Sequence, residues 1–177
     1  GTGKSSLVYS IFLDTLKDYK VSMIEVKNFQ IKSLNKIVRT ICNEHRKFII
    51  FCDDIAFNLN DENFLHFKSI LDGTLRKVSN VIFYATSNYR HMVKNDKLSK
   101  ENRIVEQENM ESITALSDRF GLWLGFPSFN KATFLKIVNY YKNVYKLKID
   151  NTRLEKKPLE WSTLRGSNSG REAENFI

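Results

Sequence analysis

The stretch Phe48-Ile49-Ile50-Phe51-Cys52-Asp53-Asp54 decides the fold class. An apolar run with no polar alternation, closed by acids, suits a strand buried on both faces of a parallel sheet, where crossover helices cover each side. Val21 to Val26 (VSMIEV) and Val81 to Ala85 (VIFYA) are further strand candidates; Leu122 to Phe126, stopped by Pro127, is a last short one. Between them apolar residues recur at helical spacing: Leu7, Val8, Ile11, Phe12 and Leu16; then Leu34, Ile37, Val38 and Ile41; then Phe64, Phe67, Leu71 and Leu75, with Asn60 as cap. Beyond Pro127 the pattern is helical only. Phe134, Ile137, Val138, Tyr141 and Tyr145 share one face, residues 150–165 form a helix broken at Pro158, and Ser169 and Glu172 have capping-box spacing. Strands alternating with helices, then helices alone, predict an α/β core over residues 1–127 and a small α-helical lobe over 128–177.

Composition narrows the class. The chain has 177 residues, 28 Lys plus Arg against 20 Asp plus Glu, and a net charge of +8. With 7 Gly and 2 Pro it is no linker or collagen-like chain. No apolar run reaches the roughly 18 residues of a spanning helix, and no charged-then-apolar leader opens the chain. Cys42 and Cys52 make neither a zinc framework nor a disulfide scaffold, and fit a reducing, cytoplasmic setting. The basic balance permits a nucleic-acid partner without establishing one. The run from Arg90 to Arg103 is basic and Glu106 to Glu111 acidic, which suits an exposed loop; contact with nucleic acid and simple solvation both remain open for the basic part.

Gly1-Thr2-Gly3-Lys4-Ser5-Ser6 heads the first amphipathic helix. In a P-loop, glycines let backbone N–H groups crowd round phosphate oxygens, the Lys reaches the β- and γ-phosphates, and the following hydroxyl holds Mg²⁺. The helix N-terminus adds partial positive charge. A chance Gly-rich turn is the alternative. The chain opens inside this pattern, without Met, so a piece of a longer protein is expected. The acids after the apolar run match a Walker B arrangement. Asp53 would orient the Mg²⁺ shell and Asp54 would act as general base toward water; the alternative is a surface turn with Asp as a helix cap. Asn88, at the end of the VIFYATSN run, could hydrogen-bond the nucleophilic water or a γ-phosphate, or be an ordinary turn residue.

Taken in order, Gly-Lys-Ser, the Asp53-Asp54 pair, Ala85-Thr-Ser-Asn88, Ser117-Asp118-Arg119-Phe120 and Ser169-Gly-Arg171 resemble the motif series of an AAA+ ATPase. More closely, FIIFCDDIAF, VIFYATSNYRH, LSDRFGLWLGF and SGREAENFI resemble a bacterial AAA+ family known as domain of unknown function eight-fifteen. The resemblance spans nearly the whole chain. It implies a P-loop NTPase core of three α/β/α layers, a parallel sheet ordered 5-1-4-3-2 whose first strand precedes Gly1, and a helical lid. It also implies Asn88 as sensor 1, Arg171 as sensor 2 and Arg119 as an arginine finger acting in trans within a homo-oligomer. The second acid is Asp54 where the wider pattern has Glu, one methylene longer. A guanidinium suits phosphate oxygens, and a positive charge in a first helical turn opposes the dipole unless an anion is near, as for Arg171. An ion pair of Arg119 with Asp118 and a solvated Arg171 are the plainer alternatives.

The expected activity is ATP binding and Mg²⁺-dependent hydrolysis, coupled to remodelling of an unknown protein client, with no membrane partner. The alternatives are a nucleic-acid-associated loader, a small-molecule P-loop kinase and a non-enzymatic nucleotide-gated scaffold.

Overall fold

In the computed structural model, which describes residues 1–57, 62–74, 78–89, 114 and 118–177, strand β2 (Lys47–Cys52) lies between β1 (Val21–Val26) and β3 (Val81–Ala85), parallel to both. Ile50 stands opposite Ile24 and Phe83, and Cys52 opposite Val26 and Ala85. Side chains alternate between faces along a strand, so this register puts Ile24, Val26, Phe48, Ile50, Cys52, Val81, Phe83 and Ala85 on one face. Helices α2 (Leu34–Ile41) and α3 (Glu62–Ser69) pack there through Leu34, Val38, Ile41, Phe64 and Phe67. A short 3₁₀ helix over Asn28–Ser33 adds Ile31, and a wide helical turn over Ile70–Thr74 adds Ile70 and Leu71. Helix α1 (Lys4–Thr15) meets the opposite face, where Tyr9 sets its ring edge-on to Phe51 at 5.5 Å. The expected doubly buried strand is realised: Ile49, Ile50, Phe51 and Cys52 are all buried. The chain is thus α/β with a parallel sheet of three strands among the described residues.

The chain divides into two units, Ser5–Trp123 and Gly1–Lys4 with Leu124–Ile177. Asn80 braces the first. Its amide donates to the carbonyls of Ile41, Glu44 and Arg46 at 2.8–3.2 Å, tying the end of α2 and the approach to β2 to the start of β3. Phe67 is the aromatic centre, with the rings of Phe57, Phe83 and Phe120 at 5.2, 5.5 and 6.4 Å.

The second unit is built on α4 (Lys131–Val144), α5 (Asn151–Arg165) and α6 (Gly170–Phe176), around buried Phe134, Val138, Leu154 and Ala173. Asn130 caps α4 by accepting the Thr133 N–H at 2.8 Å. Helix α5 closes on Gly166 at φ +65°, where the N–H groups of Gly166 and Ser167 donate to the carbonyls of Thr163 and Ser162, the paired bonds of a Schellman ending.

Three expectations need correction. Residues 122–126 form no strand. A strand exists through its ladder, and among the described residues none pairs with this segment. Pro158 does not break α5. The ring removes one backbone bond, yet Pro158 is itself buried and Leu154 and Leu159 anchor the helix on either side of it. Of the apolar positions on α1 only Val8 is buried, while Leu7 and Ile11, and Leu16 just past its end, stay exposed; the three strands among the described residues offer a helix little sheet to cover. Asn60, Leu75 and the stretches 90–103 and 106–111 lie outside the described residues. No described helix is long and apolar enough to cross a membrane.

Phe67→Ala would remove the ring that three others meet, and should lower unfolding free energy by about 3–5 kcal/mol. Urea denaturation measures it; a loss below about 1 kcal/mol would show that the ring cluster does not hold this unit together.

Candidate functional site

Parallel strands deliver the residues that follow them to one edge of the sheet, the edge where open α/β folds bind ligands. Here β2 delivers Asp53 and Asp54, and β3, with Ala85 opposite Cys52, delivers Thr86, Ser87 and Asn88 beside them. The ladder continues past both strand ends: Thr86 N–H donates to Cys52 O at 2.9 Å and Ile55 N–H to Thr86 O at 2.8 Å. Ser87 Oγ adds a bond to Ile55 O at 2.6 Å. The two segments are held as firmly as strands, though neither is one.

Side chains then converge. Ser5 Oγ, on the first turn of α1, donates to Asp53 Oδ1 at 2.7 Å. Thr86 Oγ1 donates to the same oxygen at 2.5 Å and accepts from the Asp54 N–H at 2.9 Å. Asn88 Nδ2 donates to Asp54 Oδ1 at 2.7 Å. Asp53 is half-buried and Asp54 exposed. Asp54 takes φ +52°, a left-handed conformation that Asp tolerates better than most residues. The structure therefore brings Ser5, Asp53, Asp54 and Asn88 into one hydrogen-bonded group.

Gly3 has φ +90°, which favours glycine, directly ahead of α1; Lys4 is half-buried and Ser6 exposed. Thr2 Oγ1 is buried without a hydrogen bond. In the second unit, the Gly170 N–H donates to Gly1 O at 3.0 Å, so α6 begins against the start of the chain. Arg171 is exposed on the first turn of α6, and Ser169 Oγ caps that turn by accepting the Glu172 N–H at 3.2 Å. Glu172 does not complete a capping box; its carboxylate accepts from Trp161 Nε1 at 3.1 Å. Arg119 pairs with Asp72, not with Asp118. Nη2 donates to Asp72 Oδ2 at 2.8 Å and Nε to Oδ1, a planar two-point contact that suits a guanidinium.

Thr86 is the functional residue that local sequence pattern does not single out from Asn88. Its signal was available only through strand order: once β3 neighbours β2, the first polar residue after β3 must meet the acids after β2. Fold and site together define an α/β chain with an acid pair at the carboxyl edge of its parallel sheet, joined to the head of a glycine-led helix. The family model described as Protein of unknown function (DUF815) matches residues 1–177, and the chain belongs to that family. No curated protein matches it.

Cys52, immediately before Asp53, is buried, and that burial pushes its thiol pKa up to about 12. Only the thiolate reacts with alkylating agents. Iodoacetamide at pH 8 should therefore modify half-buried Cys42 in the native protein and reach Cys52 only after denaturant is added. Because the folded pKa is raised, the contribution of the neutral thiol to stability is present below about pH 9 and fades toward pH 12. Equal alkylation rates, measured by mass spectrometry, would mean that the end of β2 opens freely.

Proposed function

We propose that this chain binds ATP with Mg²⁺ and hydrolyses it, as the nucleotide-binding core of an AAA+ ATPase. One observation carries the reading: the hydroxyl following Gly3-Lys4 is hydrogen-bonded to the acid that ends the central apolar strand, Ser5 Oγ to Asp53 Oδ1 at 2.7 Å. Residues 48 positions apart meet as a P-loop and a Walker B acid must. The observed order β1-β2-β3 also supports it, being that of the second, third and fourth strands in 5-1-4-3-2.

An oxygen-only pair of one hydroxyl and one carboxylate fits Mg²⁺, which takes few protein ligands and keeps the rest for water and phosphate. Ser5 and Asp53 would hold the ion, and its charge would neutralise phosphate oxygens when bound. Gly1, Thr2 and Gly3 would offer backbone N–H groups, Lys4 would pair with the β- and γ-phosphates, and Ser6 would extend the helix-head contacts. Asp54 would take a proton from the attacking water. Asn88, already 2.7 Å from Asp54 Oδ1, would keep that carboxylate aimed. Arg171 would bring its guanidinium to the nucleotide from α6. Hydrolysis would then drive remodelling of a protein client by a homo-oligomer. Arg119 would serve the neighbouring subunit only by leaving Asp72.

Lys4→Ala should abolish binding of a fluorescent ATP analogue, whereas Asp54→Asn should retain binding and lose at least about a hundredfold in kcat. A wild-type chain that binds no nucleotide, or Asp54→Asn hydrolysing at full rate, would sink the reading. For Arg119, a mixture of Arg119→Ala with Lys4→Ala should recover activity that neither has alone. Mixed oligomers without recovered activity would leave Arg119 a structural partner of Asp72.

A further inference from the structure

We infer that Thr86 is a positioning residue that holds both acids through a single oxygen. The inference rests on the proposed nucleotide reading only for its consequence, not for its geometry. A hydroxyl has one proton and two lone pairs. At 2.5 Å from Asp53 Oδ1, an acceptor, the Thr86 proton is committed to that carboxylate. Toward the Asp54 N–H at 2.9 Å the same oxygen then acts as acceptor. Thr86 thus fixes the side chain of one acid and the main chain of the next.

Its own position is set independently of those bonds. Its N–H and C=O are both engaged, with Cys52 O and Ile55 N–H, it is only 8% exposed, and its branched Cβ restricts χ1. The bond to the Asp54 amide holds a residue at φ +52°, where an unsupported backbone would relax. Two hydroxyls, from Ser5 and Thr86, load Asp53 Oδ1, so Oδ2 is the oxygen left for a cation. Asn88 then aims a carboxylate whose backbone Thr86 has already placed. Removing the Thr86 hydroxyl leaves Asp53 with the Ser5 bond alone and frees the Asp54 amide, so it loosens both acids together, an effect that loss of Asn88 would not reproduce.

Thr86→Val keeps shape and removes the hydroxyl; Thr86→Ser keeps the hydroxyl and removes the methyl. In the full chain, amide hydrogen exchange at Asp54 should accelerate about tenfold in Thr86→Val, stay near wild type in Thr86→Ser, and leave the Ile50 and Phe51 amides protected in both. With Mg²⁺ present, Thr86→Val should bind the fluorescent ATP analogue about tenfold more weakly and show a larger fall in kcat. Mg²⁺-free binding should not change, and Thr86→Ser should restore both. An unchanged Asp54 amide in Thr86→Val, or Thr86→Ser as impaired as Thr86→Val, overturns the inference. Should Thr86→Val not fold, the wild-type chain decides. A slowly exchanging Thr86 hydroxyl proton, close to the Asp54 amide proton by NMR, is expected, and its absence overturns the inference. A wild type that binds no nucleotide defeats the ATPase reading, while the exchange result still rules on Thr86.

Discussion

Everything in the first unit depends on β2 having no free side. It is hydrogen-bonded along both edges and buried on both faces, so its end is the best-fixed point of the unit. A carboxylate placed there inherits that rigidity without needing an ion partner. This is why Asp53 can be held by two neutral hydroxyls, one from a helix and one from the adjacent strand's continuation. Neutral donors leave the negative charge intact, whereas a lysine or arginine in their place would cancel the attraction for a cation.

The arrangement also explains why the acids differ. Asp53 lies half-buried at the strand end; Asp54, one residue on, has turned into the left-handed region and faces solvent. A single backbone rotation separates a fixed carboxylate from an accessible one. Adjacent acids on a regular strand would point to opposite faces of the sheet. The turn at Asp54 keeps both at the edge.

Much of this was legible in the sequence because the signals were local and strong. Val21–Val26 and Val81–Ala85 read as strands over the residues that form them, since short β-rich runs bounded by polar residues leave little choice. The apolar stripe of α2 and the cap at Ser169 were legible for the same reason. What escaped is non-local. For Arg119 the sequence offers only its neighbour Asp118, but its partner Asp72 lies 47 positions away, where no spacing rule reaches. Leu122 to Phe126 has a strand's composition, yet composition cannot supply a neighbour to pair with. Pro158 shows the converse: a local breaker overruled by burial on both sides. Thr86 was hidden by adjacency to Asn88, for two polar residues after a strand look alike until the neighbouring strand is known.

The link between the Gly170 N–H and the Gly1 carbonyl is made wholly by main chain. Side-chain chemistry at either position is irrelevant to it. A Cβ added at Gly170 would lie 3.6 Å from that oxygen, an ordinary van der Waals distance, so the junction tolerates substitution at residue 170. Proline there is the exception, because it alone has no N–H to give. The attachment of α6 to the head of the chain is therefore encoded by backbone shape and leaves no residue signature. A chain whose sequence had drifted far from this one could keep the contact unchanged.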